Sequence, residues 1–300
     1  MKLRIAVALL AVYLIWGSTY LAIRFAVETI PPFLMAGTRF LAAGSILVLW
    51  RRLAGDPPPT RQQWKSAAVV GLLLLLGGNG LVSWAEQGRI NSGMAALLVG
   101  SAPIWMVLIE AIFYTKQRPR WQAFVGLLTG SIGIVVLIGP QNIFDSQNYA
   151  SLLGSGAVVM GAFLWSIGSV YSHKAEMPRS PLLGTGMQML VGAGGLYLVS
   201  LLSGEWKTFD ISAVSSHSWL GLAYLIVFGS LGGFVAYGWL LRNAPIPLVA
   251  TYAYVNPLVA ILLGNWLAQE TLSLQIIVAA AIIIGSVVLI NTPKKKPAET

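Results

Sequence analysis

The feature that most constrains this chain is a succession of apolar runs, each about as long as a bilayer is thick. They fall at residues 5–24, 33–51, 67–86, 91–114, 121–139, 151–172, 182–203, 217–240, 246–268 and 273–292. A helix needs about 20 residues to cross the hydrocarbon core, so the pattern predicts an all-α integral membrane protein with ten transmembrane helices. The composition agrees. Of 300 residues, 56% are hydrophobic and only 10% are charged, against roughly 25% charged in water-soluble domains. The first run is of span length rather than the shorter apolar stretch of a cleavable signal peptide.

Charge then orients the chain. With alternate connections assigned to alternate sides, one side receives Lys2, Arg4, Arg51, Arg52, Arg61, Lys65, Lys116, Arg118, Arg120, Lys174, Arg179, Arg242 and Lys294 to Lys296. The other receives Arg24, Arg89 and Lys207, and Arg39 is left inside a span. Cytoplasmic loops carry the excess of Lys and Arg. The expected location is therefore a bacterial cytoplasmic (inner) membrane, multi-pass, with both termini cytoplasmic. The same distribution explains the pI near 9.9 without nucleic acid as a partner.

Several chemistries are excluded at this level. The chain has no cysteine, which removes disulfides, zinc–thiolate sites and thiol catalysis. His173 and His217 stand alone, so no metal is expected. No phosphate-cradling glycine motif occurs, and the connections are too short to fold as domains. No cofactor is expected, and ATP-driven transport within this chain is excluded.

The apolar runs divide five and five, and an odd number makes the second half begin on the opposite side of the membrane. The chain thus reads as two inverted five-helix repeats, 1–145 and 146–292, followed by a basic cytoplasmic tail, 293–300. The halves echo one another: Pro103 and Pro257 interrupt the fourth and ninth runs, Trp16 matches Trp165, and Arg39 falls at Gln188. Residues 122–138 read QAFVGLLTGSIGIVVLI and 275–290 read QIIVAAAIIIGSVVLI. Interrupted hydrophobic segments at matching places in two halves point to a secondary transporter's binding site. A mid-span proline frees a carbonyl, here that of Ala253, which only protein or a watery cavity tolerates.

The order WGSTY at 16–20, Arg39, Pro103 and YVNPLVAILLGNWLAQETL at 254–272 resembles the EamA-type transporters of the drug/metabolite transporter superfamily, in particular inner-membrane members. The resemblance spans essentially the whole chain. It implies a ten-helix inverted-repeat fold and export of small metabolites. One departure stands out: where the second copy has Glu270 after the broken helix, the first has Lys116.

Helical spacing sorts the polar residues onto faces. Asn79, Ser83 and Glu86 form one stripe; Ser230, Gly233 and Tyr237 another; Trp165, Ser169 and Ser172 a third. Tyr252 and Asn256 share a face beside Pro257, and Trp16 lies over Thr19 and Tyr20. Polar stripes face the bundle interior rather than lipid. The expected substrate-binding residues are Trp16, Thr19, Asn79, Ser83, Trp165, Tyr237, Tyr252 and Asn256, a lining suited to amphipathic or aromatic solutes. The expected gating residues are Arg39, Glu86, Pro103 and Pro257, with an Arg39–Glu86 ion pair closing the outer mouth. Trp50, Trp64, Trp121, Trp206 and Trp219 are expected in the interfacial belt, and the paired glycines at helix-packing positions.

The function read from these residues is a secondary transporter, an exporter of amino acids or similar amphipathic metabolites by alternating access. Its partners are a small-molecule substrate and membrane lipids, and a homodimer is compatible. An integral-membrane enzyme acting on lipids is the alternative, but it needs a catalytic constellation near the interface, and His173 and His217 lie on opposite sides. A passive channel would show a ring of like charge or a carbonyl filter, and neither is present.

Overall fold

A computed structural model describes residues 2–115, 121–138, 149–244, 246–249, 251–269 and 271–291. Lys116, Glu270, the junction between the halves at 145 and 146, and the basic tail 293–300 lie outside the described residues.

Among the described residues the chain is helical, without a strand. Helix α1 is Lys2–Ala26 and α2 is Pro32–Leu53. Helix α3 spans Arg61–Glu86, and its middle, Leu72–Gly80, is π-helical. Helix α4 is broken into Ser92–Val99 and Ala102–Ile109. Then come α5 (Trp121–Ile138), α6 (Tyr149–Lys174) and α7 (Pro181–Leu202). Helix α8 spans Ser216–Asn243 with a π-helical middle, Leu225–Phe234; α9 is Tyr252–Ala268 and α10 is Leu274–Asn291. Seven of these, α1 to α4 and α6 to α8, are long and apolar enough to cross a membrane among the described residues. The shorter apolar helices α5, α9 and α10 occupy the positions of the remaining expected spans.

The helices start where local chemistry supplies caps. Thr60 and Gln63 form a reciprocal capping box before α3, satisfying two of the otherwise orphaned N–H groups. The side chains of Asn91, Ser180 and Ser215 accept from the third residue beyond, at Met94, Leu183 and Ser218. Helix α2 opens on Pro31 and Pro32, where a missing N–H costs nothing. The carboxylate of Glu205 accepts from Phe33 N (3.2 Å) and Leu34 N (2.9 Å), placing negative charge at the helix's positive end.

Packing follows a two-fold plan. Helix α2 lies along α7 and α5 along α10; α1 packs against α8 and α9 as α6 packs against α3 and α4. Exchanging the halves leaves these pairings unchanged. The outer faces carry large apolar side chains such as Leu14, Leu41, Leu198 and Leu262, all exposed, which lipid rather than water accommodates. The predicted belt tryptophans are exposed at 37–69% (Trp50, Trp64, Trp121, Trp206 and Trp219), whereas Trp16 and Trp165 are 7% and 9% exposed.

The breaks in α4 and α9 differ in detail from the proline-centred expectation. In the first half the helix stops at Gly100 and Ser101, and Pro103 is the second residue of the new segment, a position that tolerates proline. In the second half a short helix, Ile246–Val249, precedes α9, and Pro257 lies inside α9. The matching residues at the two breaks are Ser101 and Thr251. Each donates its main-chain N–H to the carbonyl three residues back, Leu98 or Leu248, and each hydroxyl donates to that same oxygen.

Candidate functional site

The site forms where the two π-helical segments face each other across α1 and α2. A π-helical stretch has wider turns than an α-helix and recurs at functional sites. The segment in α3 carries Asn79 between Gly78 and Gly80, and the segment in α8 carries Gly229, Ser230 and Gly233. Arg39, from α2, joins them: its Nε donates to Ser230 Oγ (2.8 Å) and its Nη1 to Asn79 Oδ1 (3.4 Å). Arg39 is only 2% exposed, and its Cζ lies 4.7 Å from the centre of the Phe40 ring. Gly229 is what lets the guanidinium in, since a methyl there would lie 2.8 Å from Arg39 Nη2.

Beside the arginine is a layer of aromatic rings drawn from four helices. Trp16 on α1 sits at its centre, with ring centroids 5.6 Å from Trp165 (α6), 5.1 Å from Phe234 and 4.8 Å from Tyr237 (α8), and 5.5 Å from Tyr252 (α9). Tyr237 and Tyr252 meet edge to face at 5.7 Å. Such pairs contribute about 0.5–1.5 kcal/mol each beyond burial. Trp16 Nε1 donates to Gly229 O (3.2 Å), and Gly233 presents bare backbone to the indole: a methyl there would lie 2.3 Å from Nε1. Ser169 Oγ and Tyr237 OH are hydrogen-bonded at 3.1 Å.

On one side of this layer is a cavity of about 60 Å³, lined by residues that include Trp16, Thr19, Tyr20, Arg39, Asn79, Trp165 and Tyr252. That is room for a few waters, so the helices must part to admit a metabolite. Above it, at the end of the bundle where α1 and α3 finish, a wider recess is lined by Arg24, Glu28, Glu86 and Arg89. At the other end a recess of about 350 Å³ is lined by Ser172, His173, Thr185, Gln188 and Arg242. The aromatic layer lies between the cavity and this second recess.

The expected site residues distribute as follows. Trp16, Thr19, Asn79, Trp165 and Tyr252 line the central cavity together with Arg39. Tyr237 belongs to the aromatic layer. Ser83 is fully buried on α3. Asn256 ties helices together, its Nδ2 donating to the main-chain carbonyls of Tyr13 (3.1 Å) and Tyr252 (3.2 Å). Glu86, 3% exposed, lines the upper recess, while the hydrogen bonds of Arg39 run to Ser230 and Asn79 rather than to Glu86 as expected. Pro103 and Pro257 lie in the segments that follow the two breaks. Phe234 was not among the expected residues, although its spacing of four from Ser230 puts it on the same face. His173 and His217 sit at opposite ends of the bundle, and no group of metal ligands occurs among the described residues.

Known proteins place this architecture. The model of the EamA-like transporter family matches the chain twice, over residues 3–139 and 152–292. The "Uncharacterized inner membrane transporter YedA" of Escherichia coli K12 is 38% identical over 288 residues, covering 96% of this chain and 90% of that protein. An "Uncharacterized transporter" of Archaeoglobus fulgidus is 23% identical, covering 97% of this chain and 99% of its own. A solved crystal structure superimposes with a TM-score of 0.66 at 22% identity, covering 96% of this chain and 95% of that one, which shows a shared fold. Relatives bear the names of transporters and not of enzymes, and the apolar helices fit a multi-pass inner-membrane protein. Doubled family match, exchangeable halves and whole-length similarity agree: this chain belongs to the EamA-like transporter family.

Proposed function

We propose that the protein is a secondary transporter that exports small amphipathic metabolites, amino acids or related compounds, by alternating access at the central cavity. The observation that carries this reading is the cavity itself, at mid-bundle and built by residues of both halves, with Trp16, Arg39 and Asn79 from the first and Trp165 and Tyr252 from the second. Sites between repeats of this kind open to either side as one half rocks against the other. In this reading ten helices cross the membrane as two inverted sets of five, with both termini cytoplasmic. The aromatic layer then faces the cytoplasm and acts as a seal, while Glu86 and Arg24 border the outer mouth. Aromatic faces hold the apolar body of a solute, and Asn79 and Thr19 offer neutral hydrogen bonds.

The test is counterflow in proteoliposomes. Vesicles are loaded with one amino acid at a time, aromatic ones included, with tracer outside and no imposed ion gradient. Transient tracer accumulation that is lost in Trp165→Ala supports a carrier with its site at the cavity. A monodisperse protein that accumulates no amino acid removes them as substrates.

A further inference from the structure

The central cavity holds a cation whose partners are all neutral. Arg39 is the charged residue among those lining it, and no Asp or Glu is present there. A guanidinium carries five N–H donors. Among the described residues, two of its nitrogens bond to side chains, Nε to the Ser230 hydroxyl and Nη1, at a long 3.4 Å, to the Asn79 amide oxygen. Phe40 and Phe234 flank the group, with Cζ 4.7 and 5.9 Å from their ring centroids. Ionisable groups inside a membrane protein are ordinarily paired with opposite charge or face a watery pathway. The indole Nε1 of Trp165, whose ring lines the cavity, is buried beside the hydroxyls of Tyr237 and Tyr252, neutral groups again. The site therefore offers donors and positive charge, and lacks the anionic acceptor that would complete it.

We propose that Arg39 anchors a carboxylate on the transported solute. The inference rests on the transporter reading above and narrows its substrate class to carboxylates with an aromatic or otherwise apolar body. The planar fork of the guanidinium matches two carboxylate oxygens at once. The rings of Trp16, Trp165 and Phe234 supply the faces against which the body stacks. A free ammonium on the solute finds no carboxylate in this lining, so an amine is disfavoured, and a simple acid is taken at least as well as its α-amino acid. This reverses the emphasis of a lining read as nearly uncharged, because the arginine is placed in the cavity wall and not at the outer mouth.

Four probes that share a phenyl ring separate the terms: phenylacetate, phenylacetamide, phenethylamine and phenylalanine. Binding is read from the concentration dependence of thermal stabilisation of the purified protein, and transport from tracer counterflow in proteoliposomes. Phenylacetate is expected to bind about 10- to 100-fold more tightly than phenylacetamide, the worth of charge-assisted hydrogen bonds. Arg39→Gln is expected to bring the two within a few-fold of each other, with Arg39→Lys keeping part of the preference. If Arg39→Gln does not fold, the comparison of acid, amide and amine on the native protein decides alone. Equal or better binding of the amide or the amine overturns the inference, as does an acid preference that survives in Arg39→Gln. Counterflow of the amide or amine with no preference for the acid leaves the transporter reading standing without this inference. No accumulation of any of the four by monodisperse protein overturns both the inference and the reading of a carrier for aromatic solutes.

Discussion

Replacing Gly233 by alanine places a methyl 2.3 Å from Trp16 Nε1 and 2.6 Å from its Cδ1. Ordinary contact begins near 3.4 Å, so the indole must retreat by about 1 Å, and it is hemmed in by Trp165, Phe234, Tyr237 and Tyr252. Overpacking of this kind costs about 1–3 kcal/mol. Moving the ring also strains the Trp16 Nε1 bond to Gly229 O, worth about 1 kcal/mol. Against this, alanine gains about 0.5–1 kcal/mol over glycine in a helix. The net expectation is a loss of about 1–3 kcal/mol. Gly194 is the matched control: it is helical and a methyl there meets nothing within 4 Å, so Gly194→Ala takes the propensity gain alone. At about 2 °C per kcal/mol for a chain of this size, the two variants should differ by about 3–8 °C in apparent Tm at one fixed scan rate. In a Trp16→Ala background the penalty at Gly233 should vanish, a coupling that a double-mutant cycle reads directly. A Gly233→Ala protein as stable as Gly194→Ala would refute the packing of Trp16 against α8.

Three further outcomes follow from the loops and helix ends. Glu205→Ala removes the carboxylate from the N-terminus of α2 and should lower stability by about 1–2 kcal/mol, with Glu205→Gln recovering part, measured as apparent Tm. Asp56 is held below the usual carboxylate range, chiefly by hydrogen bonds from Arg51, whose Nε reaches Oδ2 at 2.9 Å and Nη2 reaches Oδ1 at 2.6 Å. A depressed carboxylate stabilises the fold above its unfolded-state value, about 4, and that contribution is lost as pH falls through the lower folded-state value. Asp56→Asn should therefore flatten the acid limb of a stability–pH profile and be the less stable of the two proteins at neutral pH. A fluorescent protein fused after residue 300 should fluoresce and a phosphatase fused there should stay inactive; the opposite pattern would reverse the orientation assigned from charge.

Much of the architecture was legible because bilayer thickness sets a length that no water-soluble helix needs to match. The apolar run at 5–24 became Lys2–Ala26 and that at 182–203 became Pro181–Leu202, each helix end falling within about one turn of the run's end. The stripe of Ser230, Gly233 and Tyr237 was legible for a similar reason, since residues three and four apart share a face and the structure turns all three toward Arg39, Trp16 and the aromatic layer. The π-helical character of 72–80 and 225–234 was not, because a run of leucines and glycines has the same apolar pattern in either helix. Nor were the partners of Arg39: Ser230 is 191 residues away in the chain, and no local pattern encodes a contact of that span. The helix breaks were placed two or more residues late, at prolines, since a Gly–Ser or a threonine that closes a turn through its own hydroxyl carries a weaker signature than proline does. Asn256 reads as a substrate ligand from the face it shares with Tyr252 beside Pro257; its bond to the Tyr13 carbonyl on α1 joins residues far apart in the chain and was not legible.

The central claim, that one cavity between the halves opens alternately to the two sides, has a direct test that the cysteine-free chain makes clean. Thr19 lines the cavity beyond the aromatic layer and its hydroxyl bonds within its own helix, to Trp16 O, so Thr19→Cys is a small change. Sealed vesicles of each orientation are exposed to a membrane-impermeant maleimide, with fully buried Ser155→Cys as the unreactive control. The account predicts that the cysteine at position 19, buried beside a cavity of about 60 Å³, is labelled slowly at rest and from both faces once a transported solute cycles and each end of the bundle parts in turn. Labelling from one face alone, under turnover as well as at rest, would contradict it.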